Sequence, residues 1–284
     1  MSTAVVDGVG VDAVVFDWGG TLAPHLDIDL LELWRAAAER LDPFHAEELA
    51  AQLVAVEAEL WARTTATQES GTLDDLIALA TARLGLDVAE AVRAEAALDH
   101  LDAWGVHLTH DPEAVATLTA LRERGMAVGL VSNTHWPRAF HEQLLERDGL
   151  IGLIDVRLYS SELTHMKPHP SVFQAALAAL GTGAQPLAAG RAVFVGDRPL
   201  DDIAGAKGIG MRAVLRPNPA VPGGPVEPDA CITSLPELLP LIDGWRRSSA
   251  RPRTSRRSPT GGHSGPVASG PITPPGSAPP GSAG

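Results

Sequence analysis

The chain alternates short β-branched apolar runs with helical stretches, and no other feature restricts its fold as strongly. Six runs read as strands, over 12–17, 127–131, 155–159, 192–195, 212–215 and, shorter and weaker, 230–232. The first is Asp12-Ala-Val-Val-Phe-Asp17, whose apolar interior suits a strand buried on both faces. From Asp111, placed to cap a helix that Pro112 opens and Gly125 ends, strand and helix alternate to the end of the last run. This order predicts a parallel sheet covered by helices. Ligands of such sheets bind beyond the carboxyl ends of the strands, which singles out Asp17, Ser132 and Asp197.

One block breaks the alternation. From 27 to 104 the pattern is helical throughout, in four amphipathic stretches around 30–41, 46–63, 73–84 and 88–103, with Gly71 and Gly85 at the breaks. Inserted after the first strand, the block is expected to lie at the edge of the crevice as a cap. The expected fold is therefore α/β, a Rossmann-like parallel sheet core (1–23 and 106–245) with an inserted all-helical cap domain (24–105). From Arg246 onward there are six arginines, no acids and a Pro/Gly/Ser-rich end, so 246–284 is expected to be a disordered tail with no partner legible in it.

Composition narrows the function classes. A net charge of −13 disfavours nucleic acid as a partner, because phosphate backbones are held by clustered Lys and Arg. No apolar run approaches bilayer length, and the first ten residues lack the basic and apolar regions of a secretory leader, so neither membrane insertion nor export is expected. The expected location is cytoplasmic. The single cysteine, Cys231, sits between Ala230 and Ile232 and is expected in the core.

Four short segments carry residues able to do chemistry. Asp17 ends the first strand beside the pliable Gly19-Gly20 backbone, where it can face a ligand or simply form a turn. Ser132-Asn133 ends the second strand with a hydroxyl and an amide that can bond an anionic oxygen. Lys167, one of only two lysines, lies in Met166-Lys-Pro-His-Pro170, either solvated or positioned to neutralise Asp17 and a phosphoryl group. Gly196-Asp197 and the nearby Asp201-Asp202 precede a helix expected over 203–207, where acids can cap the helix or hold a hard divalent cation.

In this order and with these residue types the four segments resemble the four motifs of the haloacid dehalogenase superfamily. Phe16-Asp17-Trp-Gly-Gly-Thr21-Leu22 resembles the first, Ser132-Asn133 the second, Lys167-Pro168-x-Pro170 the third, and Gly196-Asp197 with Asp202 the fourth. The gap between the first two matches the subfamily with a helical cap inserted there. The resemblance implies that Asp17 attacks a phosphorylated small molecule and forms an aspartyl intermediate, with Lys167 holding nucleophile and transferred group. It implies that Thr21, Ser132 and Asn133 bind the substrate. It also implies a Mg²⁺ held by Asp17, the Gly19 carbonyl and Asp197, with Asp202 nearby or bonded through water.

The chain departs from the phosphatase pattern at one position. Where that branch carries an acid–base aspartate two residues after the nucleophile, this chain has Gly19. Such a group is worth about 10²–10⁴ in rate; His25 and His135, each close to a motif, are the candidates to replace it or are ordinary exposed loop histidines. Three other readings stay open: a metal-independent 2-haloacid dehalogenase-like hydrolase, which the retained Asp197 and Asp202 oppose; a phosphonoacetaldehyde hydrolase, opposed by the absence of lysine over 27–104; and a weakly active or non-catalytic binding protein. Trp34, Arg35, Trp61 and Arg63 lie on the helical block, with packing and solubility their expected roles.

Overall fold

Valine, alanine and phenylalanine fill the strand interiors, and the computed structural model pairs all six strands in parallel. Residues 10–250 are described, apart from 184, 220 and 225. In sequence the strands are β1 (Ala13–Phe16), β2 (Ala127–Ser132), β3 (Val156–Tyr159), β4 (Ala192–Gly196), β5 (Arg212–Leu215) and β6 (Ala230–Cys231). They lie side by side as β3-β2-β1-β4-β5-β6. Chain order therefore reverses between β1 and β4, and Phe16 is in register with both Leu130 of β2 and Val195 of β4. Asp17 leaves the sheet at this switch point, where ligands of open α/β sheets bind. Helices α5 (Ala114–Glu123), α6 (Arg138–Arg147), α7 (Pro170–Ala179), α8 (Gly205–Gly208) and α9 (Leu238–Ala250) complete the α/β part.

The helical insertion is α1 (Leu30–Leu41), α2 (Ala46–Thr67), α3 (Leu73–Arg83) and α4 (Glu90–Gly105). Its starts are encoded locally. Asp29 accepts the Leu31 N–H to cap α1, and Thr72 with Asp75 forms a reciprocal capping box on α3. α2 runs four residues beyond the expected Arg63, because the Thr64 and Thr67 hydroxyls donate back to the carbonyls of Trp61 and Arg63 and spare the β-branched residues a break. Buried Trp34, Ala37, Ala38 and Leu41 pack α1 onto α4, where His100 stacks on Trp34 at 3.5 Å. Main-chain hydrogen bonds dock the block on the core loops: Ser70 to Thr164, Met166 to Gln68 and Leu73 to His135. The block and the α/β part form one compact unit.

Several local expectations shift. Asp111 accepts the Glu113 N–H and pairs with Arg216, so it caps a turn and α5 starts at Ala114 instead. The expected helix over 203–207 opens earlier as a π-helical turn, Pro199–Ala204, with the Asp202 side chain bonded back to the Arg198 N–H. Cys231 is exposed, not buried: side chains alternate along an edge strand, and it is the next residue, Ile232, that enters the core. α9 continues to Ala250, past the expected start of the tail, and Arg246 donates to the Arg124 carbonyl. The remainder of that tail, 251–284, lies outside the described residues. No helix among the described residues is long and apolar enough to cross a membrane.

Burial holds the His100 pKa at about 4, against a hydrogen bond with the Leu33 carbonyl. The unfolded chain protonates this ring near its ordinary 6.5, so between those values the unfolded state binds more protons and folding stability falls with acidification. Each unit of pH across that window costs up to about 1.4 kcal/mol. Urea unfolding at pH 7.5 and 5 should show this loss, and His100→Leu should remove its share of the dependence, leaving that of the buried His135 and His141; an unchanged slope in the variant contradicts the assignment.

Candidate functional site

Three strand ends and the loop before α7 converge on Asp17. The Asp17 N–H donates to the Val195 carbonyl, so its backbone extends the pairing with β4 while the side chain turns to the crevice. Lys167 Nζ donates to Asp17 Oδ1 at 2.6 Å and to Asp202 Oδ1 at 2.8 Å, with its own side chain only 1% exposed. The solvated alternative for this lysine is therefore excluded. Asn133 fixes the lysine's main chain from both sides: its Nδ2 donates to the Lys167 carbonyl and its Oδ1 accepts the Lys167 N–H. Asp202 is fully buried, and its second oxygen accepts the Arg198 N–H.

Two glycines make this crowding possible. A Cβ on Gly20, whose φ is +81°, would fall 2.2 Å from Asp197 Oδ2, and one on Gly196 would fall 2.3 Å from Asp202 Cγ. Gly19 differs, since a Cβ there meets nothing within 4 Å. The loop after β1 closes through Gly20 N–H to the Ala23 carbonyl and Ala23 N–H to the Trp18 carbonyl, a bridge that does not use the Gly19 carbonyl.

Burial is the largest influence on the site's charges. It raises the Asp17 carboxyl to about 7; Lys167 opposes that rise, and Asp202 and Asp197 add to it. Burial likewise opposes the Lys167 charge, but two paired carboxylates outweigh it and hold the ammonium above its ordinary range. One ammonium serves several acids, so Lys167 stays charged while the acids around it are only partly relieved of the cost of burial. Burial also raises Asp197.

Carboxylate oxygens of Asp17, Asp197 and Asp202 lie within 4.8 Å of one another. Asp197 Oδ2 accepts from Asn218, but Asp197 Oδ1 is buried with no hydrogen-bond partner. An orphaned carboxylate oxygen facing further acids fits a hard cation with oxygen ligands. Asp202, with one oxygen on Lys167 and the other on a main-chain N–H, fits a supporting position better than direct ligation.

The expected residues divide in use. Asp17, Gly19, Ser132, Asn133, Lys167 and Asp197 line one cavity of about 240 Å³. Thr21 is not among its lining residues: it is fully buried and its hydroxyl donates to Asp17 Oδ2 at 3.4 Å, so it holds the carboxylate and cannot meet substrate. Asn133, expected to bind substrate, has its amide committed to Lys167. His25 lines the cavity from an exposed loop. His135 lines it too, but burial lowers its pKa to about 4, so at neutral pH it carries no proton to donate as an imidazolium. Sequence reasoning missed Asn218, Trp104, Trp136, His141 and Glu57, none of which belongs to a motif; the fold brings Glu57 and Trp104 to the site from the helical block, whereas Trp136 lies only three residues past Asn133. Trp61, expected as packing, lines the cavity.

These features define a doubly wound α/β hydrolase class with a carboxylate at the switch point and a buried lysine beside it. The haloacid dehalogenase-like hydrolase family matches residues 11–210, and the chain belongs to that family. It is similar to a phosphoserine phosphatase of Thermus thermophilus, 36% identical over 45% of this chain and 49% of that one. It is also similar to a phosphoglycolate phosphatase of Cupriavidus necator, 33% identical over 49% of this chain and 58% of that one. The chain thus spans about half the length of these relatives. Among solved structures, a phosphatase of this family from Thermococcus onnurineus superposes with a TM-score of 0.57 at 25% identity, over 83% of this chain and all of that one. A 2-haloacid dehalogenase from Pseudomonas syringae shares the fold with a TM-score of 0.59 at 24% identity, over 83% of this chain and 99% of that one.

Removing the buried ammonium leaves its carboxylates unbalanced. Lys167→Met should cost about 3–5 kcal/mol of stability at pH 8. The penalty should shrink toward pH 5 as the stranded acids take up protons. Denaturant midpoints at the two pH values measure this, and an equal penalty at both would refute the charge assignment.

Proposed function

We propose that this protein is a Mg²⁺-dependent phosphatase of small phosphorylated molecules that works through an aspartyl-phosphate on Asp17. The observation that carries the proposal is the Asp17–Lys167–Asp202 array beside the unpartnered Asp197 oxygen. Asp17 and Asp197, with the Gly19 carbonyl, would hold the cation, and Asp202 would support them. When bound, Mg²⁺ offsets the charge of the phosphoryl oxygens and orients them for in-line displacement.

The chain's own groups do the rest. Asp17 attacks phosphorus, the bond to the ester oxygen breaks, and the leaving group departs with the electron pair. Lys167 keeps the nucleophile ionised against the burial that would protonate it, and the Ser132 hydroxyl bonds a phosphoryl oxygen. Water then cleaves the acyl phosphate, regenerating Asp17 and releasing phosphate and a proton. The helical block acts as the cap, walling the cavity with Glu57, Trp61 and Thr65 of α2 and Trp104 of α4. No aspartate stands at position 19 to protonate the leaving group in the first step or to activate water in the second.

Metal dependence, leaving-group preference and two substitutions test the proposal. EDTA should abolish turnover of p-nitrophenyl phosphate and Mg²⁺ restore it, while activity indifferent to EDTA would favour dehalogenase-like chemistry. The absent acid–base should show in kcat/KM, which reports leaving-group expulsion: p-nitrophenyl phosphate and acetyl phosphate should exceed a sugar phosphate by about 10²-fold or more. Gly19→Asp should raise the sugar-phosphate value, since a Cβ there meets nothing within 4 Å. Asp17→Asn should abolish every reaction. Equal wild-type values for activated and alkyl esters would mean that another group, His25 foremost, already supplies the proton.

A further inference from the structure

Four of the chain's six tryptophans, Trp18, Trp61, Trp104 and Trp136, line the cavity over Asp17. They form two aromatic groups on the cavity wall: Trp136 lies 5.2 Å from Trp104 and 6.1 Å from Trp18, ring centre to ring centre, and Trp61 pairs with His135 at 4.1 Å. The indole N–H of Trp104 and Nε2 of His135 are buried without hydrogen-bond partners. Trp18 is held in place by its own N–H, which donates to His110 Nε2, while His110 Nδ1 donates to Asp148. The four come from separate parts of the chain, the loop after β1, α2, α4 and the loop after β2, so the surface is assembled by the packing of the helical block on the core.

The charges of the wall complement this. No lysine or arginine of the helical block lines the cavity, whereas Glu57 does, with a carboxylate oxygen accepting from the Trp34 indole at 2.8 Å. Of the two lining cations, Lys167 is held by Asp17 and Asp202, and Arg198 stands 3.9 Å from Asp201. A leaving group bearing a carboxylate would face Glu57 with no cation of the block opposite it. A planar aromatic group would instead find offset and edge-on ring partners. A cavity of about 240 Å³ suits a single ring beside a phosphoryl group, lying below the usual range for drug-sized ligands.

The missing proton donor points the same way from an independent observation. A phenolate departs as a stable anion and needs no protonation, whereas an alkoxide does. We infer that the site takes aryl phosphate monoesters, phosphorylated phenols without an anionic ring substituent, and recognises the ring through Trp61, Trp104 and Trp136. The inference rests on the phosphatase reading for its chemistry: Asp17 forms the bond to phosphorus, the aryl oxygen leaves as phenolate, and water releases phosphate.

Recognition and turnover can be tested apart. Calorimetric titration of the Mg²⁺-loaded wild type with non-hydrolysable phosphonates should show phenylphosphonate binding at least about tenfold more tightly than methylphosphonate, and phosphonoacetate gaining nothing over methylphosphonate. In kinetics, p-nitrophenyl phosphate should show a KM well below that of acetyl phosphate, whose leaving group is also activated but not aromatic. Trp104→Leu and Trp61→Leu should each raise the aryl KM about three- to tenfold and narrow that difference. If a variant fails to fold, the wild-type titrations still decide. Phenylphosphonate binding no better than methylphosphonate overturns the inference, as does an aryl KM that both folded variants leave unmoved. Absence of p-nitrophenyl phosphate turnover with the phosphonate preference intact would overturn the phosphatase reading and the aryl-ester substrate while leaving ring recognition standing.

Discussion

A single ammonium group, that of Lys167, sits almost out of reach of water between Asp17 and Asp202. Three acids cannot approach one another in a buried crevice unless a cation balances them, since desolvation and mutual repulsion both favour the neutral forms. Much of the local structure serves that balance. Asn133 clamps the lysine's main chain, the Arg198 N–H takes the free oxygen of Asp202, and Gly20 and Gly196 remove the side chains that would otherwise occupy the carboxylates' space. The Phe194 ring lies beneath the ammonium, 5.1 Å from Nζ to the ring centre, and adds a π-face to its surroundings.

The sheet makes this arrangement possible at a distance in sequence. Because order reverses between β1 and β4, the loops that follow these adjacent strands separate and open a crevice into which Asp17 and Asp197 both project. β2 adds Ser132 from the other side of β1, and its loop carries Asn133 to the lysine. Rigid, fully paired strands thus set the positions of short loops, and the loops carry the chemistry. The helical block then closes the crevice with aromatic side chains, so a charged floor faces a mostly apolar roof. Glu57 is the exception in that roof, and burial raises its carboxyl above the ordinary range despite hydrogen bonds from Trp34 and Trp61.

On the proposed phosphatase reading, such a division separates what activates the phosphoryl group from what selects the molecule carrying it. The floor follows the pattern of the haloacid dehalogenase-like family to which the chain belongs. At Gly19 a Cβ would meet nothing within 4 Å. On the proposed reading, the glycine at that position and the aromatic roof bear on the same property, the nature of the leaving group.

What the sequence determined by itself was whatever depends on neighbours in the chain. Short apolar runs identified all six strands, and four short motifs announced Asp17, Ser132, Lys167 and Asp197. Errors arose where a distant partner overrode a local preference: Asp111 was drawn into a turn and an ion pair with Arg216, and Cys231 faced outward because β6 lies at the sheet edge. Tertiary structure alone decided that Asn133 and Thr21 hold Lys167 and Asp17, that Asn218 reaches Asp197, and that four tryptophans from separated segments share one cavity. Periodicity and capping act over a few residues, whereas hydrogen-bond partners and cavity walls here are chosen across as many as 195 positions, where only the packed chain brings them together.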